Sequence, residues 1–177
     1  KLPVSFPRSV GTTPVFYNYL KGSRPIDAGS VDDDGSLNFG HQYVLNSPVP
    51  IWSFGRGLSY TTFDYSNLKL SPASIGPSDN FTVSVTVKNS GSRDGKEVVQ
   101  VYMTDVVSSV VTPVQELVGF QKIDLAAGAS QTVEIEVQAE QLALWGVNNA
   151  WAVEAGTFVI AVGTSEEAFV STNLTVT

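Results

Sequence analysis

The sequence predicts an all-β chain built around an antiparallel β-sandwich of about seven strands. Two observations carry this. From Phe63 to the C-terminus apolar and polar residues alternate in short runs, and most runs end at a turn rich in Gly, Asn, Ser or Pro. The one helical stretch, Ala139 to Leu144, amounts to a single turn and is too short to be a domain element.

The strands follow in order. The first runs from Phe63 to Leu70. In the second, Phe81, Val83, Val85 and Val87 share one face while Thr82, Ser84, Thr86 and Lys88 share the other, because side chains alternate along a strand. The turn Asn89-Ser90-Gly91-Ser92-Arg93-Asp94-Gly95 leads into Val98 to Met103, whose two apolar sets predict a strand covered on both faces. A strand around Glu116 to Asp124 ends at Ala127-Gly128, and Val133, Ile135 and Val137 alternate with Thr132, Glu134 and Glu136 in the next. Phe158, Ile160 and Val162 mark another strand, and Val170, Leu174 and Val176 the last. Seven strands is the count of an immunoglobulin-like or fibronectin type III-like sandwich.

Residues before Phe63 have a different texture. Gly11, Pro14, Gly22, Pro25, Gly29, Gly35, Gly40, Pro48 and Pro50 interrupt residues 8 to 57, and no period of 2 or 3.6 is sustained. A long irregular segment of this kind is expected to run over another domain's surface. The opening Lys1-Leu2-Pro3-Val4-Ser5-Phe6-Pro7 has neither a charged n-region nor an apolar h-region, and reads as an internal start within a longer polypeptide.

Composition narrows the partners. Ten basic against seventeen acidic residues give a formal charge of -7, with the Lys and Arg scattered, so nucleic acid is not an expected partner. No apolar run approaches the roughly 20 residues of a membrane span, so no membrane partner is expected either. Cysteine is absent, which excludes disulfides, thiolate metal ligands and a cysteine nucleophile.

The residues that invite chemical readings are few. Asn80-Phe81-Thr82 and Asn173-Leu174-Thr175 are acceptor sequons for N-glycosylation. His41 is the only histidine, and no Gly-x-Ser-x-Gly elbow accompanies it, so a structural or surface role is expected. Asp32-Asp33-Asp34-Gly35, with Asp27 upstream, lacks the spacing of a calcium loop and reads as a solvated acidic loop; no metal site is expected. Glu134 and Glu136 share a strand face, but a flat solvated face offers no pocket to raise one carboxyl as glycosidic chemistry requires. Trp52, Trp145 and Trp151 suit either sugar platforms or packing. Trp145 and Trp151 flank Gly146-Val147-Asn148-Asn149, a hairpin turn, and are expected to cover the end of the sandwich.

Several phrases, in order, resemble the C-terminal part of glycoside hydrolase family 3, of the β-glucosidase type. Leu2-Pro3-Val4-Ser5-Phe6-Pro7-Arg8-Ser9-Val10-Gly11, followed by Tyr17-Asn18, is similar to the last strand and exit of that family's α/β-sandwich domain. Phe54-Gly55-Arg56-Gly57-Leu58-Ser59-Tyr60-Thr61-Thr62-Phe63 resembles the entry into its fibronectin type III-like domain. Val87-Lys88-Asn89-Ser90-Gly91, Glu97-Val98-Val99-Gln100-Val101-Tyr102 and Glu116-Leu117-Val118-Gly119-Phe120 are similar to phrases within it. One departure is Trp52-Ser53-Phe54-Gly55-Arg56-Gly57, where the family commonly has Tyr-Pro-Phe-Gly-Tyr-Gly. Its two glycines are expected to permit tight backbone at the junction, with Arg56 available to a neighbouring domain's carboxylate.

The resemblance implies residues 1–11 as the terminal strand of a preceding α/β-sandwich domain, 12–62 as a connector, and 63–177 as the fibronectin type III-like domain. It implies an accessory part of a secreted, extracellular, retaining exo-acting β-glucosidase of cellulose degradation, needing no cofactor, whose partner is the N-terminal catalytic portion of barrel plus α/β-sandwich domain. That portion would bind the β-glucoside and carry both catalytic carboxylates. The family nucleophile lies in a Ser-Asp-Trp context, and the only Ser-Asp here, Ser78-Asp79, is followed by Asn80, so no catalytic residue is expected in this chain. Length and aromatic content make Phe39, His41 and Trp52 candidates for the substrate rim. The competing readings are a free-standing carbohydrate-binding or adhesion module and the tail of a family 3 β-xylosidase.

Overall fold

A computed structural model describes residues 1–22, 49–165 and 169–177. Seven long strands make two facing sheets: β1 (Phe63–Ser71), β3 (Phe81–Asn89), β4 (Gly95–Asp105), β5 (Glu116–Leu125), β6 (Ser130–Val137), β9 (Gly156–Gly163) and β10 (Phe169–Val176). Three two-residue strands join them: β2 (Ser74–Ile75), β7 (Leu144–Trp145) and β8 (Trp151–Ala152). One sheet has the order β1-β3-β6 and the other β2-β10-β9-β4-β5; β7 and β8 form a separate ribbon. All long neighbours are antiparallel, and only β2 runs parallel to its partner, β10.

Alternation explains the core. Phe81, Val83, Val85 and Val87 are buried along β3 while the residues between them are not, and β3 pairs with β6 so that Phe81 meets Val137, Val83 meets Ile135 and Val85 meets Val133. The second sheet contributes Val99, Val101 and Met103 from β4, Phe158, Ile160 and Val162 from β9, and Leu174 and Val176 from β10. Two inner faces of branched aliphatics packed on each other are what hold a sandwich together.

Asn89 closes one end of β3. Its buried amide donates to the carbonyls of Arg93 and Leu125, at 2.8 and 3.0 Å, while its side-chain oxygen accepts from Thr61 and from the Gly91 amide. A buried asparagine whose hydrogen bonds are all placed fixes a turn instead of costing stability. A Cβ on Gly91 would come within 2.3 Å of the Thr61 hydroxyl, which explains the small residue in that phrase.

The expected single helical turn is the 3-10 helix Ala139–Leu142. The expectation that Trp145 and Trp151 cover the sandwich end is corrected. They sit directly opposite each other in the β7–β8 ribbon, 51% and 69% exposed, with ring centroids 5.8 Å apart at 75°. The turn between them does form, with the Gly146 amide donating to Ala150 at 3.0 Å and Asn149 at φ 55°. The ribbon buries Leu144, 8% exposed, and leaves both indoles half or more in water.

Residues 1–22 and 49–62 lie against the sandwich without joining either sheet. Residues 2–6 run antiparallel to 51–56: Leu2 donates to Arg56, Gly55 to Leu2, Phe6 to Trp52 and Ile51 to Phe6, each at 2.8 Å. Further on, Lys21 donates to Thr112 and Val114 to Tyr19, fixing this strip to the β4–β5 connection.

Candidate functional site

Two sites depend on residues of β4. The first is its outer face. Val99, Val101 and Met103 point into the core, so Gln100 and Tyr102 point away from it, yet they are only 3% and 1% exposed. The docked strip covers them. Gln100 donates through Nε2 to the carbonyls of Gly55 at 3.1 Å and Thr164 at 2.7 Å, and accepts from the Tyr102 hydroxyl at 2.7 Å. Tyr17 stacks on Phe54 at 4.0 Å, and both rings meet Tyr102 edge-on. A polar side chain buried with its hydrogen bonds satisfied specifies one geometry, since a shifted strip would cost Gln100 its bond to the Gly55 carbonyl.

Gly55 makes the close approach possible. It has φ +76°, and a Cβ there would come within 2.2 Å of Gln100 Oε1 and 2.8 Å of the Tyr102 hydroxyl. The junction glycine of the sequence motif is therefore required twice, by conformation and by space. Arg56, expected to reach outward, is exposed. At the same edge Lys1 Nζ pairs with the buried Glu97 at 2.8 Å and donates to the Thr164 carbonyl at 3.0 Å. Burial first and the Glu97 charge second push the nearby Tyr65 hydroxyl up, so it stays protonated.

The second site is a pocket of about 280 Å³ where the end of β4 and the start of β5 meet the tryptophan ribbon. Met103, Asp105, Thr112, Glu116, Leu142, Trp145 and Trp151 are among its walls. Burial raises Glu116 above its ordinary value. Asp105 is raised as well: burial is the largest cause and Glu154 adds to it, against the pull of Lys21 and of the Val107 amide. Glu154 itself is lowered by hydrogen bonds from the Ser109 hydroxyl and amide.

Among the sequence-predicted residues, Phe39 and His41 lie outside the described residues, as do Asp27 and Asp32 to Asp34. Trp52 is 47% exposed, its ring edge-on to Phe6 at 5.7 Å. Asn80 is exposed just before β3, its Nδ2 donating to Glu136 at 3.1 Å and its Oδ1 accepting from the Ala139 amide. Asn173 is exposed in the middle of β10. These residues sit on three separate elements and form no common site. Glu134 and Glu136 are exposed on β6, and no group of three or more potential metal ligands occurs among the described residues. Sequence reasoning missed Gln100, Tyr102, Asp105 and Glu116. Gln100 and Tyr102 left one signal, as polar groups inside a strand whose two faces both read as apolar.

A sandwich of this topology with a docked N-terminal strip defines a fibronectin type III-like module, and residues 97–166 match the fibronectin type III-like domain family. The chain is 38% identical, over 92% of its own length, to a periplasmic β-glucosidase of Salmonella typhimurium, and 40% identical, over 95%, to a β-xylosidase of Formosa agariphila. It spans 21% and 22% of those proteins. The solved β-glucosidase of Listeria innocua in complex with glucose superimposes with a TM-score of 0.85 at 33% identity, covering 98% of this chain and 24% of that one. Along almost its whole length the chain is similar to the C-terminal region of glycoside hydrolase family 3 enzymes of the β-glucosidase type, the region that carries their fibronectin type III-like domain.

Proposed function

We propose that the chain is the structural C-terminal part of a retaining, exo-acting β-glucosidase that removes terminal β-D-glucosyl residues. Its nucleophile and acid/base would lie on a catalytic portion outside this chain. The observation that carries the reading is the match along almost the whole chain to about a fifth of a β-glucosidase. In this reading residues 1–11 continue the preceding domain's sheet, 12–62 connect, and 63–177 form the platform, with the Gly55–Gln100–Tyr102 clasp holding the junction.

The carboxylates of the sandwich suit this division. Retention needs one ionised nucleophile and one protonated acid, set apart by environments that push their pKa values in opposite directions. Asp105 and Glu116 are both raised, and burial is the largest cause for each. Within this pair neither carboxyl is held below its ordinary value.

The expected result is that residues 1–177 alone do not turn over an aryl β-glucoside while a longer polypeptide containing them does. Turnover by the chain alone would overturn the proposal. The β-xylosidase relative favours a second reading, decided by whether the longer polypeptide prefers an aryl β-xyloside.

Three finer points belong to the proposal. Trp52, with Phe39 and His41, forms part of the substrate rim, and alanine at each is expected to alter kinetics on long substrates more than on short ones. The enzyme works outside the cytoplasm, as the name of its periplasmic relative supports. Secretion to act on cellulose fragments, with glycans on Asn80 and Asn173, would appear as a mass loss on enzymatic deglycosylation.

A further inference from the structure

The pocket beneath the tryptophan ribbon has no part in the function proposed above. Two partly exposed indoles set edge to face wall one side, which is an unusual use of large apolar groups in water. The lining also holds Asp105, only 5% exposed, whose buried Oδ2 has no hydrogen-bond partner among the described residues. A buried carboxylate oxygen left unpaired is costly, and the fold accepts that cost here beside a second carboxylate, Glu116.

These groups match one ligand chemistry. A pyranose has an apolar face of C–H groups that packs on an indole and a rim of hydroxyls that donate to carboxylates. A volume near 280 Å³ is at the small end of ligand pockets and suits about one ring. A cation fits less well, because Lys21, whose ammonium donates to the Asp105 carbonyl, already brings positive charge to this wall. An anion is disfavoured by the two carboxylates.

We propose that this pocket binds one pyranose ring of a β-linked glycan, with Trp145 and Trp151 as the platform and Asp105 and Glu116 accepting from its hydroxyls. Trp151 also walls a wider shallow groove with Asn80, Gln138 and Glu140, so a bound chain would continue along it beyond the ring held in the pocket.

The test uses the longer polypeptide that contains this chain, run by native electrophoresis through gels cast with soluble mixed-linkage β-glucan or with xylan. The expected result is retardation of the wild type by at least one polysaccharide, with apparent affinity falling about tenfold or more in the Trp145→Ala/Trp151→Ala double variant. Asp105→Asn, which keeps the side-chain shape, is expected to lose affinity too while its circular dichroism is unchanged. No retardation of the wild type in either gel, or equal retardation of the wild type and both variants, overturns the proposal. Retardation does not depend on turnover, so a polypeptide that is retarded but hydrolyses no glucoside would refute the β-glucosidase reading and leave this site standing.

Discussion

The sandwich and the strip docked on it are two regions held by different physics. Between the sheets, Phe81, Val83, Val85 and Val87 are buried against branched aliphatics from the opposite sheet, a contact that is non-directional and large. On the outer face of β4, residues 2–6 and 51–56 are laddered to each other and held to the strand by the Gln100–Gly55 hydrogen bond and the edge-on packing of Phe54 on Tyr102. Such contacts are individually modest and depend on geometry. The difference teaches that the sandwich carries the bulk of the buried apolar contact while the strip is held in place by a few directional ones.

The comparison is broken most severely at Phe81. Phe81→Ala empties a fully buried core site at the start of β3 and is expected to cost about 3–5 kcal/mol, lowering the melting temperature of the whole domain. Gly55→Ala sharpens it instead. A left-handed alanine overlapping Gln100 is expected to cost about 3 kcal/mol, but as undocking of the strip with the sandwich intact. Limited proteolysis would then cut near residues 49–57 without loss of the sandwich's circular dichroism.

The smallest effect is a pH dependence at Asp105. Its folded pKa is raised, chiefly by burial and then by Glu154, against Lys21 and the Val107 amide, with Glu116 on the same pocket wall. A raised carboxyl contributes stability below its unfolded pKa and loses it as pH climbs through the folded value. Asp105→Asn is therefore expected to gain on the wild type by under about 1 kcal/mol between acid and neutral pH. Urea melts at pH 4 and pH 7 check the sign.

How much of this the sequence discloses depends on what each residue faces. The long strands were legible because one buried face imposes a period of two, as in Phe81 to Val87, although β4 extends to Gly95–Asp105 beyond the expected Val98 to Met103. Two-residue strands such as β7 and β8 carry no period, so the ribbon was readable only through its turn. The exposure of its tryptophans was not, since an indole next to a turn packs or protrudes according to what lies beneath it. Gln100 and Tyr102 are buried by residues about 45 to 85 positions away in the chain, and no local pattern encodes such a cover. Asp105 and Glu116 become neighbours of one pocket only through the pairing of β4 with β5.

Amide hydrogen exchange, read residue by residue on the 177-residue chain and its Gly55→Ala variant, tests the division most directly. The account predicts that the amides of Val83, Val85 and Val101 exchange only through global unfolding. Those of Phe6, Ile51 and Gly55 would exchange through a smaller opening, which the variant makes dominant without changing the core. Equal opening free energies in the two regions, or a variant that loosens the core and the strip together, would contradict it.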